Sequence, residues 1–349
     1  VDARTTELKT MKKEELDKLT DDELMQLRIK DVHIPLEETD LYPLVQEVFS
    51  ELRAKGLDYQ PRIYFGDEWF SPEGFNAVAL PFFLAHPRLR QLERKLMKEC
   101  EGEPPFDFKK FFRHELGHAF DHAYKVSQRK LWQKTFGSNK KPYTPESYRP
   151  RPYSRNFVKN ISETYAQAHP HEDFAETFAV WLDPTSNWKE TYHGWGAFKK
   201  IQYMDRLALE FQNRFVPSPR GRMLSEAKYL NSSLDRYYYR KRKQFEDDYP
   251  DFHDDDLLKI FGETSHIPRR YAYQFMRSYR RKLVDITSSW TDERKFHINQ
   301  FLTRLIDRCK ERKFVLIKDE TQTAMELSAF LATLVANYKQ TGRFRRDAA

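Results

Sequence analysis

The sequence predicts a mainly helical α+β protein. A small mixed sheet and one well-defined amphipathic helix fill the first two thirds, and an all-α region follows. Three observations predict this. Apolar residues recur at helical spacing through most of the chain. Two runs read as strands: Arg62-Ile63-Tyr64-Phe65, and Ala77-Val78-Ala79-Leu80 continuing to Leu84. Glycine is scarce, 11 of 349 residues, which argues against a Gly-rich nucleotide fold.

The first thirty residues read as two short helices, the second opened by a capping box of Thr20 and Glu23. Leu44, Val45, Val48, Phe49 and Leu52 mark the next helix, and Gly56 stops it. Pro81 makes the second strand an edge strand, or marks the end of one, and an edge strand can take an extended peptide by strand addition. Leu89, Leu92, Leu96 and Met97 mark a further helix, and Pro104-Pro105 closes it. Asp107 is a suitable N-cap for the helix whose stripe is Phe108, Phe111, Phe112, Ala119, Phe120 and Ala123. Residues 138–156 form a Pro/Tyr/Arg-rich loop. Pro170 starts the next helix and Pro184 ends it. From residue 221 the pattern is helical, apart from an acidic surface stretch at 246–256 and a strand-like Phe314-Val315-Leu316-Ile317. Three regions result: 1–105, N-terminal helices and small sheet; 106–220, the central helices; 221–349, a basic helical region.

Composition narrows the function. Mean hydropathy is −0.83 and no apolar run reaches the roughly 18 residues of a membrane helix. Two cysteines, Cys100 and Cys309, exclude a disulfide scaffold and a cysteine-ligated zinc ribbon. With no apolar leader in the segment, the expected compartment is cytoplasmic. The net charge of +7 lies entirely in residues 221–349. That imbalance points to an acidic partner there, although solvated helix faces account for it more simply. Arg236-Tyr237-Tyr238-Tyr239-Arg240-Lys241-Arg242-Lys243 interleaves aromatics with cations, as single-strand binders do. On a helix those residues scatter over all faces, so nucleic acid is not the expected partner. Two Asn-x-Ser triplets, at Asn160 and Asn231, occur at the frequency of chance.

Residues 114–118 read His114-Glu115-Leu116-Gly117-His118, the H-E-x-x-H pattern, on the best-defined helix. Four residues turn about 400° and rise about 6 Å, so both imidazoles share a face. Both can reach one ion at about 2.1 Å. Glu115 can then accept a proton from a water whose pKa zinc lowers toward about 7. Small Gly117 and Ala119 allow close approach of a neighbour. A metzincin continuation would need Gly at 121 and His at 124; Asp121 and Tyr124 stand there. His122 is expected at the rim. The better source of a third ligand is His171-Glu172-Asp173-Phe174-Ala175-Glu176-Thr177-Phe178. Its Glu172 and Glu176 share one face of a largely apolar helix.

These two motifs together resemble the gluzincin metallopeptidases, in particular the catalytic domain of the anthrax lethal factor type and bacterial zinc-binding peptidases. The resemblance covers about residues 106–184. It implies a zincin-like catalytic domain binding one Zn2+ through His114, His118 and Glu172. It implies that Glu115 is the general base and that Tyr165, seven residues before Glu172, assists the tetrahedral intermediate. Glu176 and Asp121 resemble carboxylates that orient ligands from behind. The implied activity is hydrolysis of a peptide or protein substrate. The competing expectation is a metal-stabilised binding protein whose peptidase site is vestigial.

Overall fold

A computed structural model describes residues 13–143, 150–151, 153–243, 253–263 and 270–341. The chain is mainly helical with a small sheet. It divides into two units, Val1–Leu96 with Cys100–Tyr239, and Met97–Glu99 with Arg240–Ala349.

The first unit begins with α1 (Lys13–Leu16) and α2 (Asp21–Gln26). The capping box of α2 is present: Thr20 Oγ1 accepts from Glu23 N at 3.3 Å, and Glu23 Oε2 accepts from Thr20 N at 2.8 Å. Next comes α3 (Tyr42–Ala54), whose chain leaves the helix through Gly56 at φ 79°. Strands β1 (Arg62–Gly66) and β2 (Ala77–Pro81) pair in parallel, with Arg62 opposite Ala77 and Gly66 opposite Pro81. The strand expected to run on to Leu84 stops at Pro81, which has no N–H, and Phe82–Ala85 coil into a 3-10 turn.

The outer edge of β2 is not open, contrary to expectation. Phe70 bridges Ala79 in antiparallel sense, its carbonyl accepting from Ala79 N at 2.8 Å. Ser71 Oγ donates to Ala77 O at 2.9 Å. The chain's own residues 70–71 therefore occupy the edge that a peptide would have used.

After α4 (Pro87–Met97) comes the motif helix α5 (Phe106–Tyr124). It starts one residue before Asp107, so Asp107 lies in the first turn, where a carboxylate suits the helix dipole, rather than at the cap. Phe108, Phe112, Leu116, Ala119 and Phe120 are buried along its inner stripe. Lys125, in the left-handed region at φ 53°, ends it. A short α6 (Lys130–Phe136) precedes the described parts of the 138–156 loop, which carry no helix or strand. Pro145 and Pro152 of that loop lie outside the described residues.

Helix α7 (Pro170–Leu182) opens as read, with proline in its first turn, and is buried on every side from Glu172 to Leu182. It is the central strut of the unit, packed on α5, α6 and later α9. Then come α8 (Trp188–Thr191), α9 (Gly196–Phe211) and α10 (Leu234–Lys243). On α10, Tyr237 and Tyr238 are buried, and Tyr237 Oη donates to Asp67 O at 3.0 Å. Two of the three interleaved tyrosines are thus core residues, not a stacking surface.

The second unit contains α11 (Asp254–Ile260), β3 (Phe261–Gly262), α12 (Ala272–Thr291), α13 (Lys295–Glu311), β4 (Val315–Leu316) and α14 (Glu320–Thr341). Leu257, Phe275, Leu283, Leu302, Ile306 and Leu331 belong to one core. The strand-like run at 314–317 pairs antiparallel with β3, Phe261 opposite Leu316. Lys339 Nζ donates to the carbonyls of Thr291 and Asp292, capping the C-terminal end of α12. Most of the acidic stretch lies outside the described residues; Asp254, Asp255 and Asp256 open α11, where the dipole favours them. No helix among the described residues is long and apolar enough to cross a membrane.

Candidate metal centre

Helices α5 and α7 approach closely because Gly117 carries no side chain. A Cβ there would stand 2.9 Å from Ala175 Cα and 3.0 Å from Phe178 Cβ. This approach brings His114 and His118 of α5 against Glu172 of α7. His118 Nε2 lies 3.1 Å from His114 Nε2 and 3.3 Å from Glu172 Oε2, and His114 Nε2 lies 3.2 Å from the same oxygen. A zinc ion with tetrahedral bonds of about 2.0–2.1 Å sets its ligands roughly 3.3–3.4 Å apart. The three separations match that edge. Two imidazole nitrogens and one carboxylate oxygen are also the donor types zinc takes, with a fourth position left open. Among the described residues, this is the group that can hold a metal ion.

His114 is held from behind. His114 Nδ1 is 2.7 Å from Glu176 Oε1, so Nδ1 carries the hydrogen and Nε2 faces the ion position. Glu176 is fully buried and accepts two more hydrogen bonds, from Asn160 Nδ2 at 2.9 Å and Ile161 N at 3.0 Å. Beside His114, Arg113 is buried and grips Glu51 of α3 with two hydrogen bonds of 2.8 and 2.7 Å. Its third nitrogen reaches Asp183, at the end of α7, at 3.2 Å. Arg113 therefore braces three elements one residue from a ligand.

Charge is strongly organised here. Burial disfavours a charged His114, but its hydrogen bonds to the Glu172 and Glu176 carboxylates outweigh it and push its pKa up to about 10. Burial likewise opposes an ionised Glu172, yet the His118 and His114 imidazoles hold its carboxyl well below the usual range. Glu115 differs. Burial pushes its carboxyl up, and the two imidazoles offset only part of that. Its Oε2 is buried with no hydrogen-bond partner among the described residues.

Tyr165 packs its ring 5.6 Å from that of His114, centroid to centroid. Burial, and after it the Glu172 charge, raise the phenol's pKa and keep it a donor. Asp121 has two partners. Oδ1 accepts from Ser127 N at 2.7 Å, and Oδ2 sits 3.0 Å from His171 Nδ1. It thus ties the end of α5 to the residue before Glu172. Burial works against ionised Asp121, but His171 and Ser127 hold its pKa down. His122, one turn beyond His118, is half-buried with Nδ1 3.3 Å from Ser71 Oγ, outside the ligand group.

The sequence offers no signal for Asn160, Glu51 or Arg113 in these roles. Asn160 shows there only as the head of an Asn-x-Ser triplet, and an arginine on an amphipathic helix normally reads as surface. Neither a curated protein nor a solved structure matches this chain. Residues 89–217, which contain all three grouped ligands together with Glu115, Tyr165 and Glu176, match the model of a family described as "Putative zinc-binding metallo-peptidase".

Proposed function

We propose that this protein is a gluzincin-type zinc peptidase in which His114, His118 and Glu172 hold one zinc ion and Glu115 is the general base. The observation that carries this reading is the convergence of His114 Nε2, His118 Nε2 and Glu172 Oε2, with the buried, unpartnered Oε2 of Glu115 belonging to the residue after His114. Zinc follows from the donor types and from the family similarity. The E-x-F-A-E-x-F spacing at Glu172 supports kinship with the lethal factor type of catalytic domain.

When bound, zinc supplies Lewis-acid polarisation and lowers the pKa of a coordinated water. The chain's own residues do the rest. Glu115 takes a proton from the attacking water as its oxygen bonds to the scissile carbonyl carbon. Tyr165 donates a hydrogen bond to the carbonyl oxygen as negative charge develops, and keeps its proton. Glu115 returns the proton to the amide nitrogen, the C–N bond breaks, and the new carboxylic acid passes its proton to the amine, so that a carboxylate and an ammonium group leave. Glu176 keeps His114 in one tautomer throughout.

The test is cleavage of a proteome-derived peptide library by the zinc-loaded protein and by Glu115→Gln, read by mass spectrometry. Cuts made only by the unsubstituted protein establish a peptidase with Glu115 as base, and the flanking residues report the subsites. No cuts from either protein, with zinc bound to both, overturn the peptidase reading in favour of a metal-stabilised binding protein.

A further inference from the structure

Glu176 has two oxygens and three donors, and the donors come from different parts of the fold. Oε1 takes both His114 Nδ1 and Asn160 Nδ2, at 2.7 and 2.9 Å. Oε2 takes the backbone N–H of Ile161 at 3.0 Å. Asn160 Nδ2 also lies 3.5 Å from the carbonyl of Lys110, one helical turn before His114, and Lys110 Nζ donates to Ile161 O at 3.3 Å. The segment at 160–161 is therefore fastened to α5 and α7 together. Immediately downstream, Ser162 Oγ accepts the backbone N–H groups of Thr164 and Tyr165, at 3.4 and 3.2 Å. That turn delivers the Tyr165 ring onto His114.

We propose that Asn160 is a positioning residue of this site: through one oxygen of Glu176 it holds the ligand His114 and the donor Tyr165 in a single registered unit. The proposal rests on the zinc-peptidase reading for its catalytic half only. The residue type suits the task. A carboxamide nitrogen has two hydrogens, enough for Glu176 and the Lys110 carbonyl at once, and brings no charge into the cluster. Aspartate there would set acceptor against acceptor. Residue 160 also heads an Asn-x-Ser triplet, and here its amide is committed to the site. A purely structural residue would stabilise the loop and nothing more. Asn160 instead shares its acceptor atom with a ligand, so its loss reaches the ion position and the tyrosine together.

The experiment uses the full chain with Asn160→Ala, Tyr165→Phe and the double variant. Zinc affinity is measured by chelator competition, and kcat and KM on a peptide that the unsubstituted protein cuts. Asn160→Ala is expected to weaken zinc binding about 10–100-fold and lower kcat by a similar factor, with KM little changed. At saturating zinc the double variant is expected to be slower than Tyr165→Phe by a smaller factor than Asn160→Ala costs alone, because part of the Asn160 effect passes through Tyr165. Unchanged zinc affinity in Asn160→Ala overturns the proposal, as do independent, multiplying losses in the double variant. If the unsubstituted protein binds zinc but cuts nothing, the peptidase reading falls and the zinc arm still decides the role of Asn160. Should Asn160→Ala not fold, Asn160→Leu, which keeps much of the shape and removes the donor, is read the same way.

Discussion

Gly117 and Ala175 face each other across α5 and α7 with no room between them for a methyl group, since a Cβ on Gly117 would fall 2.9 Å from the Ala175 Cα. The obstacle is backbone, so it cannot rotate away. The spacing of the two helices, and with it the reach from His118 to Glu172, depends on that missing side chain.

Gly117→Ala tests this. Alanine gains about 1 kcal/mol of helix propensity over glycine, while overpacking costs about 1–3 kcal/mol. The cost exceeds the gain by up to about 2 kcal/mol, so the melting temperature is expected to fall modestly. Zinc affinity is expected to fall clearly, because the ligands sit on the two helices forced apart. Calorimetric titration with zinc beside a melting curve separates the effects.

Metal removal has a defined signature. Zinc bound to the folded chain alone stabilises it by about 2.7 kcal/mol at one hundred times Kd. The melting transition of the zinc-holding unit is expected to rise with zinc and fall with chelator. His118→Ala is expected to abolish that dependence, leaving the protein melting at the chelated value whatever the zinc concentration.

As the proposed base, Glu115 must be ionised to accept a proton, and burial lifts its pKa above the ordinary glutamate value of 4.5. As pH falls through the raised pKa the base becomes protonated. Log kcat/KM is therefore expected to drop with unit slope on an acid limb whose midpoint exceeds 4.5. Zinc content measured at each pH separates this from loss of the ion through ligand protonation. A midpoint at or below the ordinary value would remove burial as the tuning force.

The Arg113 brace predicts a stability effect apart from chemistry. Arg113→Ala leaves Glu51 buried without its guanidinium, and breaking a buried pair costs about 3–5 kcal/mol. The double variant Arg113→Met with Glu51→Leu is expected to recover most of that loss. Urea denaturation of the two variants checks the comparison.

What the sequence displays is what is local. The Thr20–Glu23 box, the Gly56 stop, the Pro170 start and the shared face of His114 and His118 are each set within a turn or two of helix. The closeness of α5 and α7 is half legible, since small Gly117 permits it but names no partner. Features set across the fold stay hidden. β3 is two residues long and exists because Val315 and Leu316 pair with it. The strap on β2 depends on Phe70 and Ser71, which carry no strand pattern. Asn160 is 16 residues from Glu176 in a segment without periodicity, so nothing nearby announces it. Asp121 has a legible position and an illegible partner: the carboxylate turns to His171 once α7 lies beside it.

The strap on β2 has a practical consequence for anyone seeking an inhibitor. Strand-mimicking peptidomimetics gain affinity by hydrogen-bonding their main chain to an exposed edge. At Ala77 and Ala79 those groups are already satisfied by Ser71 and Phe70. A backbone mimic aimed at that edge would have to displace both contacts before making its own. Compounds built around a metal-binding head group and side-chain complementarity start without that handicap. Shortening the 70–71 segment would convert a poor target for backbone mimics into a good one.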